Sequence, residues 1–274
     1  MRGLIVNADD FGFTRDVNAG IVRAHREGIL TATTLMANGE AFHHAVELAR
    51  ENPGLDIGCH LVLVGGQSVL EPHRALPSSV SSMMAAVGFG GLRVFPELDA
   101  QIRCIKSAGI EPTHLDTHKH THLFPPVLEA VARLSAVHGI PWVRRPFDFP
   151  MRAGHAAAPL LVRFTSRALQ LMRGRFHRVL HQHGCRTTDH FSGFQMTGRF
   201  HQRDLAALME WLPEGITEFM CHPGLCGEQL LAAPTRLKKS REQELEALVA
   251  PEVRRALQAN GIALLRYRDL AGKA

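Results

Sequence analysis

Short apolar runs alternate with amphipathic stretches along most of the chain. Residues 3–6 are apolar and lead into Asn7-Ala8-Asp9-Asp10, then Phe11-Gly12, which predicts a buried strand carrying acids at its C-terminal end. Val17, Ile21, Val22 and Ala24 recur at helical spacing and stop at Gly28. Residues 29–36 are rich in β-branched side chains and predict a strand ended by Asn38-Gly39. A helix is expected over 41–49, broken by Pro53-Gly54, and a strand carrying His60 over 56–64.

Residues 65–91 are rich in Gly, Ser, Pro and Met and show no clear period, so an inserted loop over about 65–95 is expected, of the kind that covers sites. The alternation then resumes. Helices are predicted over 96–108, 126–137, 203–211 and within 236–257, and strands over 113–118, 141–145, 186–191, 216–222 and 263–267. Strands separated by helices imply a parallel sheet, and seven or eight such units imply one (β/α) barrel over residues 1–274, TIM-like or a distorted seven-stranded form.

A chain of 274 residues, 45% hydrophobic and 21% charged, buries most of its apolar surface without staples, which excludes disulfide scaffolds and disordered chains. No run of about 18 apolar residues exists to span a membrane. The start is interrupted by Asn7, Asp9 and Asp10 before any signal-peptide core can form, so a cytoplasmic location is expected. Cysteines 59, 104, 185, 221 and 226 are odd in number, with no C-x-x-C pair, and read as free thiols.

The 17 histidines change the picture, because imidazole is both a common metal ligand and a side chain that titrates near neutrality. In a barrel, functional groups gather where strands end, at the C-terminal face. Here the strand ends carry Asp9-Asp10, His60, the Asp116/His118 region and His222-Pro223-Gly224. Acids and imidazoles from separate strands suit a divalent cation with spare groups for proton transfer. Each piece also has an ordinary structural use: a turn and helix cap for the acids, a half-buried or turn histidine for His60 and His222. The run Thr113-His114-Leu115-Asp116-Thr117-His118-Lys119-His120-Thr121-His122 is harder to explain as a polar strand edge. Residues two apart on a strand lie roughly 6.6 Å apart, so His114, His118 and His122 cannot all grip one ion. His118, nearest the strand end, is the expected ligand, while His120 and His122 are expected behind the ligands or against substrate.

These residues carry a resemblance. Asn7-Ala8-Asp9-Asp10-Phe11-Gly12, Thr33-Thr34-Leu35-Met36-Ala37-Asn38-Gly39, Gly58-Cys59-His60, His114-Leu115-Asp116-Thr117-His118-Lys119-His120 and Met220-Cys221-His222-Pro223 together resemble the YdjC/ChbG-like carbohydrate deacetylase family. Arg186-Thr187-Thr188-Asp189-His190-Phe191 further resembles its hopanoid-biosynthesis-associated HpnK branch, linked to deacetylation of an N-acetylglucosaminyl hopanoid. The resemblance implies a barrel of the glycoside hydrolase/deacetylase kind and metal-dependent N-deacetylation. It implies Asp10, His60 and His118 as metal ligands, Asp9 as general base and His222 as general acid, with the two acids' roles open to exchange. Asn38 falls within the second matching segment and is expected near substrate or ligands.

Amide hydrolysis needs a nucleophile, a stabilised oxyanion and a proton for the amine; one divalent cation, a carboxylate and an imidazole supply these. Two His and one Asp suit Zn²⁺, with Mg²⁺, Mn²⁺ and Co²⁺ as the other candidates. Asp116 is positioned to orient a ligand histidine, and Arg145 to fix that acid or a sugar hydroxyl. The alternatives are a phosphoesterase or amidohydrolase, which wants ligands for a second metal, and a non-catalytic sugar- or lipid-binding barrel. A glycoside hydrolase would pair carboxylates without histidine ligands.

The net charge of +5 permits anionic partners. Between Phe149 and Thr188 there is no acid, but there are arginines at 152, 163, 167, 173, 175, 178 and 186, interleaved with apolar residues. A basic helical segment over about 152–183 is therefore expected either to cover the barrel or to touch an anionic membrane surface, as a glycolipid substrate would require. No aromatic platform or motif points to nucleic acid. The oligomeric state is not legible.

Overall fold

A computed structural model describes residues 1–149 and 158–270. The strands are β1 (Arg2–Phe11), β2 (Ala32–Leu35), β3 (Asp56–Leu61), β4 (His114–Thr117), β5 (Trp142–Val143), β6 (His190–Ser192), β7 (Gly215–Cys221) and β8 (Ile262–Leu264). They form one sheet in the order β5-β4-β3-β2-β1-β7-β6, every pairing parallel. Single bridges, Trp142 to Arg186 and Asp148 to Phe191, bring the β5 and β6 flanks together and close a barrel of the expected kind. β8 does not extend the circle; it pairs with Arg2–Leu4 of β1, below the point where β2 takes over that edge.

The two-residue period of a strand sorts the side chains into two layers. Along β1, Leu4, Val6 and Ala8 join the apolar layer under the surrounding helices. Ile5, Asn7 and Asp9 take the opposite parity, into the barrel. Ile5, Ala32, Tyr267 and Leu270, with Trp142 and Ile216 against them, make an apolar floor. Polar residues fill the barrel above it, among them His114, stacked on Tyr267 at 4.0 Å and bonded to Asn7 Oδ1 at 3.0 Å. A Cβ at Gly58 would lie 2.6 Å from the His114 ring, so β3 carries glycine where that ring crosses the interior.

Two expectations differ from the structure. The 65–95 segment is not wholly loop: Ser79 caps a helix at Val80–Gly88, its Oγ accepting from Ser82 N. Met83 is the one fully buried residue of that helix, with Ala86 and Val87 partly buried beside it, so the apolar stripe is a single short turn among serines and small residues. The strands expected over 141–145, 186–191 and 263–267 shrink to two or three residues, and after β8 a 3₁₀ turn at Tyr267–Leu270 turns Tyr267 into the floor. The basic segment forms two helices, Leu160–Gln170 and Arg173–Gln182; Arg152 lies outside the described residues.

Candidate metal and catalytic site

At the C-terminal end of β1 two adjacent acids face the same way, which a regular strand forbids. Pairing runs from Ala8 with Thr33 to Phe11 with Leu35, one extra residue on β1. Asp10 adopts a left-handed backbone, φ 70°, rare outside glycine. The bulge turns Asp10 toward β3 while Asp9 keeps its inward parity. After β4 the chain bends in a similar way, with Lys119 and His120 at φ 55° and 51°, leaving His118 at the mouth.

Asp10 Oδ1, His60 Nε2 and His118 Nδ1 converge there. The edges of this triangle are 3.4 Å from His60 to Asp10, 3.2 Å from His118 to Asp10 and 3.2 Å between the imidazoles. Bonds of about 2.0–2.1 Å in tetrahedral geometry put ligand atoms roughly 3.4 Å apart, so the donor set fits one small cation. Asp10 Oδ1 is buried with no hydrogen-bond partner, while Oδ2 is held by Arg241 Nη2 at 2.5 Å. Behind His60, Asp116 Oδ1 accepts from Nδ1 at 2.7 Å and thereby points the Nε2 lone pair at the site. Thr34 Oγ1 donates to the other oxygen of Asp116 at 3.0 Å.

Asp9 is gripped from below. Arg144, fully buried, donates to its two oxygens at 2.8 and 2.7 Å, and reaches Asp116 Oδ2 at 2.7 Å and Glu218 Oε1 at 2.7 Å. His222 Nε2 lies 3.8 Å from Asp9 Oδ2. Around the site, Asp9, Asp10, Asp116 and Glu218 share Arg144 and Arg241, so among these described residues the carboxyl groups outnumber the guanidinium groups. That imbalance favours a further positive charge.

The acidities follow from this field. Burial pushes both Asp9 and Asp10 up, but Arg144, His60 and His222 outweigh it at Asp9, and Arg241, His118 and His60 at Asp10, so both stay well below the usual carboxylate range. Burial pulls His60 down, yet Asp116, Asp10 and Asp9 raise it to about 10: the pocket prefers positive charge at that position. His222 is dominated by burial and falls to about 4, despite Asp9 and Asp10.

Other residues singled out from the sequence have different surroundings. His122 is buried, with Nδ1 on Thr117 Oγ1 at 2.5 Å and Nε2 on the Arg144 carbonyl at 3.0 Å, so it braces the chain that carries Arg144. His120 packs against Phe191 and Phe194 with Nδ1 unpaired. Asn38 Nδ2 donates to the carbonyls of Gly65 and Gln67, pinning the loop after β3. Arg145 requires a correction as the arginine that fixes Asp116. It donates to the Asp189 carbonyl, whereas its neighbour Arg144 fixes the acids. The reason is parity: Val143 joins the outer apolar layer, so Trp142 and Arg144 face inward and Arg145 does not.

Arg144, Glu218, Arg241 and Glu244 do not stand out in the sequence as site residues. Glu218 of β7 shares the parity of His222, just past that strand, which is the one signal that points to it. Arg241, Glu244, Leu245 and Leu248 form the buried face of the helix Lys239–Val249, so charges at apolar spacing mark the other two. Glu244 accepts from the main-chain N–H groups of His222 and Gly198, both at 2.6 Å, and fixes where His222 stands.

Comparison with known proteins places the chain in a family. The profile of the YdjC-like protein family matches residues 3–259. A carbohydrate deacetylase from Brevibacillus brevis is 32% identical over 271 residues, spanning 97% of this chain and 99% of the relative. A chitooligosaccharide deacetylase from Salmonella typhimurium is 41% identical over 145 residues, 51% of this chain and 58% of the relative. A solved structure from Enterococcus faecalis, provisionally assigned to cellobiose-phosphate cleavage, superposes with a TM-score of 0.79 at 26% identity, covering 98% of this chain and 99% of that one.

Proposed function

The chain belongs to the YdjC-like family, and we propose that it is a metal-dependent carbohydrate deacetylase, a hydrolase that converts an N-acetylated amino sugar to the free amine and acetate. The observation that carries this reading is the triangle of Asp10 Oδ1, His60 Nε2 and His118 Nδ1 beside a second, ionised acid. Asp10 is the ligand because its Oδ1 is unpaired, whereas both oxygens of Asp9 are taken by Arg144. A divalent cation held there, Zn²⁺ by its preference for this donor set or else Mg²⁺, Mn²⁺ or Co²⁺, supplies Lewis acidity toward a water and an acetyl carbonyl.

The chain's own groups do the rest. Arg144 keeps Asp9 ionised, so Asp9 is always in the form that accepts a proton from the attacking water. Its Oδ2 stands 3.8 Å from His222 Nε2, a short path for passing that proton on. Burial leaves His222 neutral at rest and makes its protonated form a strong acid, suited to delivering a proton to the departing nitrogen. Asp116 and Thr34 hold the His60 ring, so that imidazole is oriented before substrate arrives, while Glu244 fixes the main chain from which His222 projects.

We further infer that the sugar is an N-acetylglucosaminyl group borne on a hopanoid lipid, reached from the cytoplasmic side at the membrane. The support is the Arg186–Phe191 segment and its likeness to the hopanoid-associated branch. A two-metal phosphoesterase is less well supported: the second group of ligand atoms, Asp9, His60 and Asp116, has Arg144 lodged against both its acids. The test is to incubate metal-loaded protein with N-acetylchitooligosaccharides, N-acetylglucosaminyl lipid and an aryl phosphate. Acetate release with loss of one acetyl mass from the sugar is expected; phosphate release without acetate overturns the assignment.

A further inference from the structure

The helix Leu160–Gln170 packs Leu169 against the core but leaves most of its large apolar side chains in solvent. Ser166 is its buried residue, while Leu160, Leu161 and Phe164 are 80%, 75% and 70% exposed, and Leu171, just past its end, is 87% exposed. Positions 160, 164, 168 and 171 follow one another along a single helical face, so the exposed residues form a continuous apolar stripe. Arg167, Arg173, Arg175 and Arg178 are exposed beside it, and no acid occurs between Asp148 and Asp189 to balance them.

Topology fixes which end of the barrel carries this stripe. The helix lies between the end of β5 and the helix Arg173–Gln182, which leads back to Arg186 at the start of β5. Gln170 Nε2 donates to the Asp148 carbonyl, past the C-terminal end of β5. The stripe therefore stands at the end that holds Asp10, His60 and His118. The connection after β3, at the same end, exposes Phe89 to 93% and Met84 to 43%. Apolar surface gathered on one face and rimmed by cations marks an interaction site.

We propose that the mouth of the barrel docks on an anionic lipid surface, with Leu160, Leu161, Phe164 and Leu171 entering the headgroup boundary and the arginines meeting lipid phosphates. Charge decides the occupant. A second copy packed through the same stripe would oppose arginine to arginine about the two-fold axis, whereas anionic headgroups complement them. No helix among the described residues is long and apolar enough to cross a membrane. The inference deepens the lipid-borne substrate reading and rests on it for its purpose, since a site facing the headgroup layer meets sugars presented there.

The test uses the whole metal-loaded protein and vesicles of phosphatidylcholine with and without phosphatidylglycerol. Co-sedimentation with the anionic vesicles alone, weakening as salt rises, is expected. The double variant Leu160→Ser/Phe164→Ser should lower vesicle partitioning by roughly tenfold, as buried apolar area is removed. Arg167→Glu/Arg173→Glu/Arg178→Glu should do the same, and neither variant should change acetate release from a soluble N-acetylchitooligosaccharide. Absence of binding to anionic vesicles, or unchanged partitioning in both variants, overturns the proposal. So does a concentration-dependent dimer by light scattering that Leu160→Ser/Phe164→Ser dissociates without affecting vesicle binding. Vesicle binding without acetate release would instead count against the deacetylase reading alone.

Discussion

Arg144 clasps both oxygens of Asp9, at 2.8 and 2.7 Å, from a position that solvent does not reach. The same guanidinium reaches Asp116, which holds His60. One buried cation thus supports the proposed base and the proposed ligand shell together.

Replacing Arg144 by Met should therefore leave Asp9, Asp116 and Glu218 uncompensated, at a cost of about 3–5 kcal/mol. Arg145→Ala, which loses a bond to one backbone carbonyl, should cost about 1 kcal/mol. Urea denaturation at neutral pH separates the two; equal losses would contradict the parity that assigns Arg144 to the interior.

His60→Ala, His118→Ala and Asp10→Asn should each lower bound metal well below one equivalent, measured by elemental analysis after dialysis. His60→Ala should also lower stability, because Asp116 loses a buried partner. His118, partly open to solvent, should cost little fold stability. Full metal occupancy in His118→Ala would remove the triangle as the binding site.

For Asp9→Asn, acetate release should fall by about 10²–10⁴-fold, the range of a general base, while metal content stays near that of the parent. Loss of metal together with activity would exchange the roles of Asp9 and Asp10.

Asp148 offers a pH signature away from the ligands. Burial raises its carboxyl to about 6, against the pull of hydrogen bonds from Gln195, Phe194 and Gly193. The folded protein then holds a proton that the unfolded chain releases near 3.8, so this group's contribution is complete below 3.8 and is lost as pH rises through about 6. A rise from 3.8 to about 6 corresponds to about 3 kcal/mol. Comparing unfolding free energies at pH 4 and 7, Asp148→Asn should flatten that fall relative to the parent; parallel curves would show that Asp148 titrates normally.

Much of this architecture is legible in the sequence, because parallel strands buried between helices leave short apolar runs that end in polar residues. The bulge at Asp10 is not legible: nothing in Asn7-Ala8-Asp9-Asp10 states that the second acid takes φ 70° and joins the first. Arg145 is the plausible arginine by proximity to the strand end, but a one-residue change in parity gives the interior to Arg144. Arg241 reaches Asp10 from the opposite end of the chain, 231 residues away, a pairing only the folded barrel creates. The Val80–Gly88 helix escapes because Met83 is its one fully buried residue, with Ala86 and Val87 only partly covered.

The flank between β5 and β6 is stitched by isolated bridges at Trp142 and Asp148, and Arg144 stands between them. Breathing of that flank would draw one guanidinium away from Asp9, Asp116 and Glu218 in a single motion. Where few amide links join the two flanks, ionic tethers across the lumen add to them, so that wall is latched from the inside by residues proposed to prepare the chemistry.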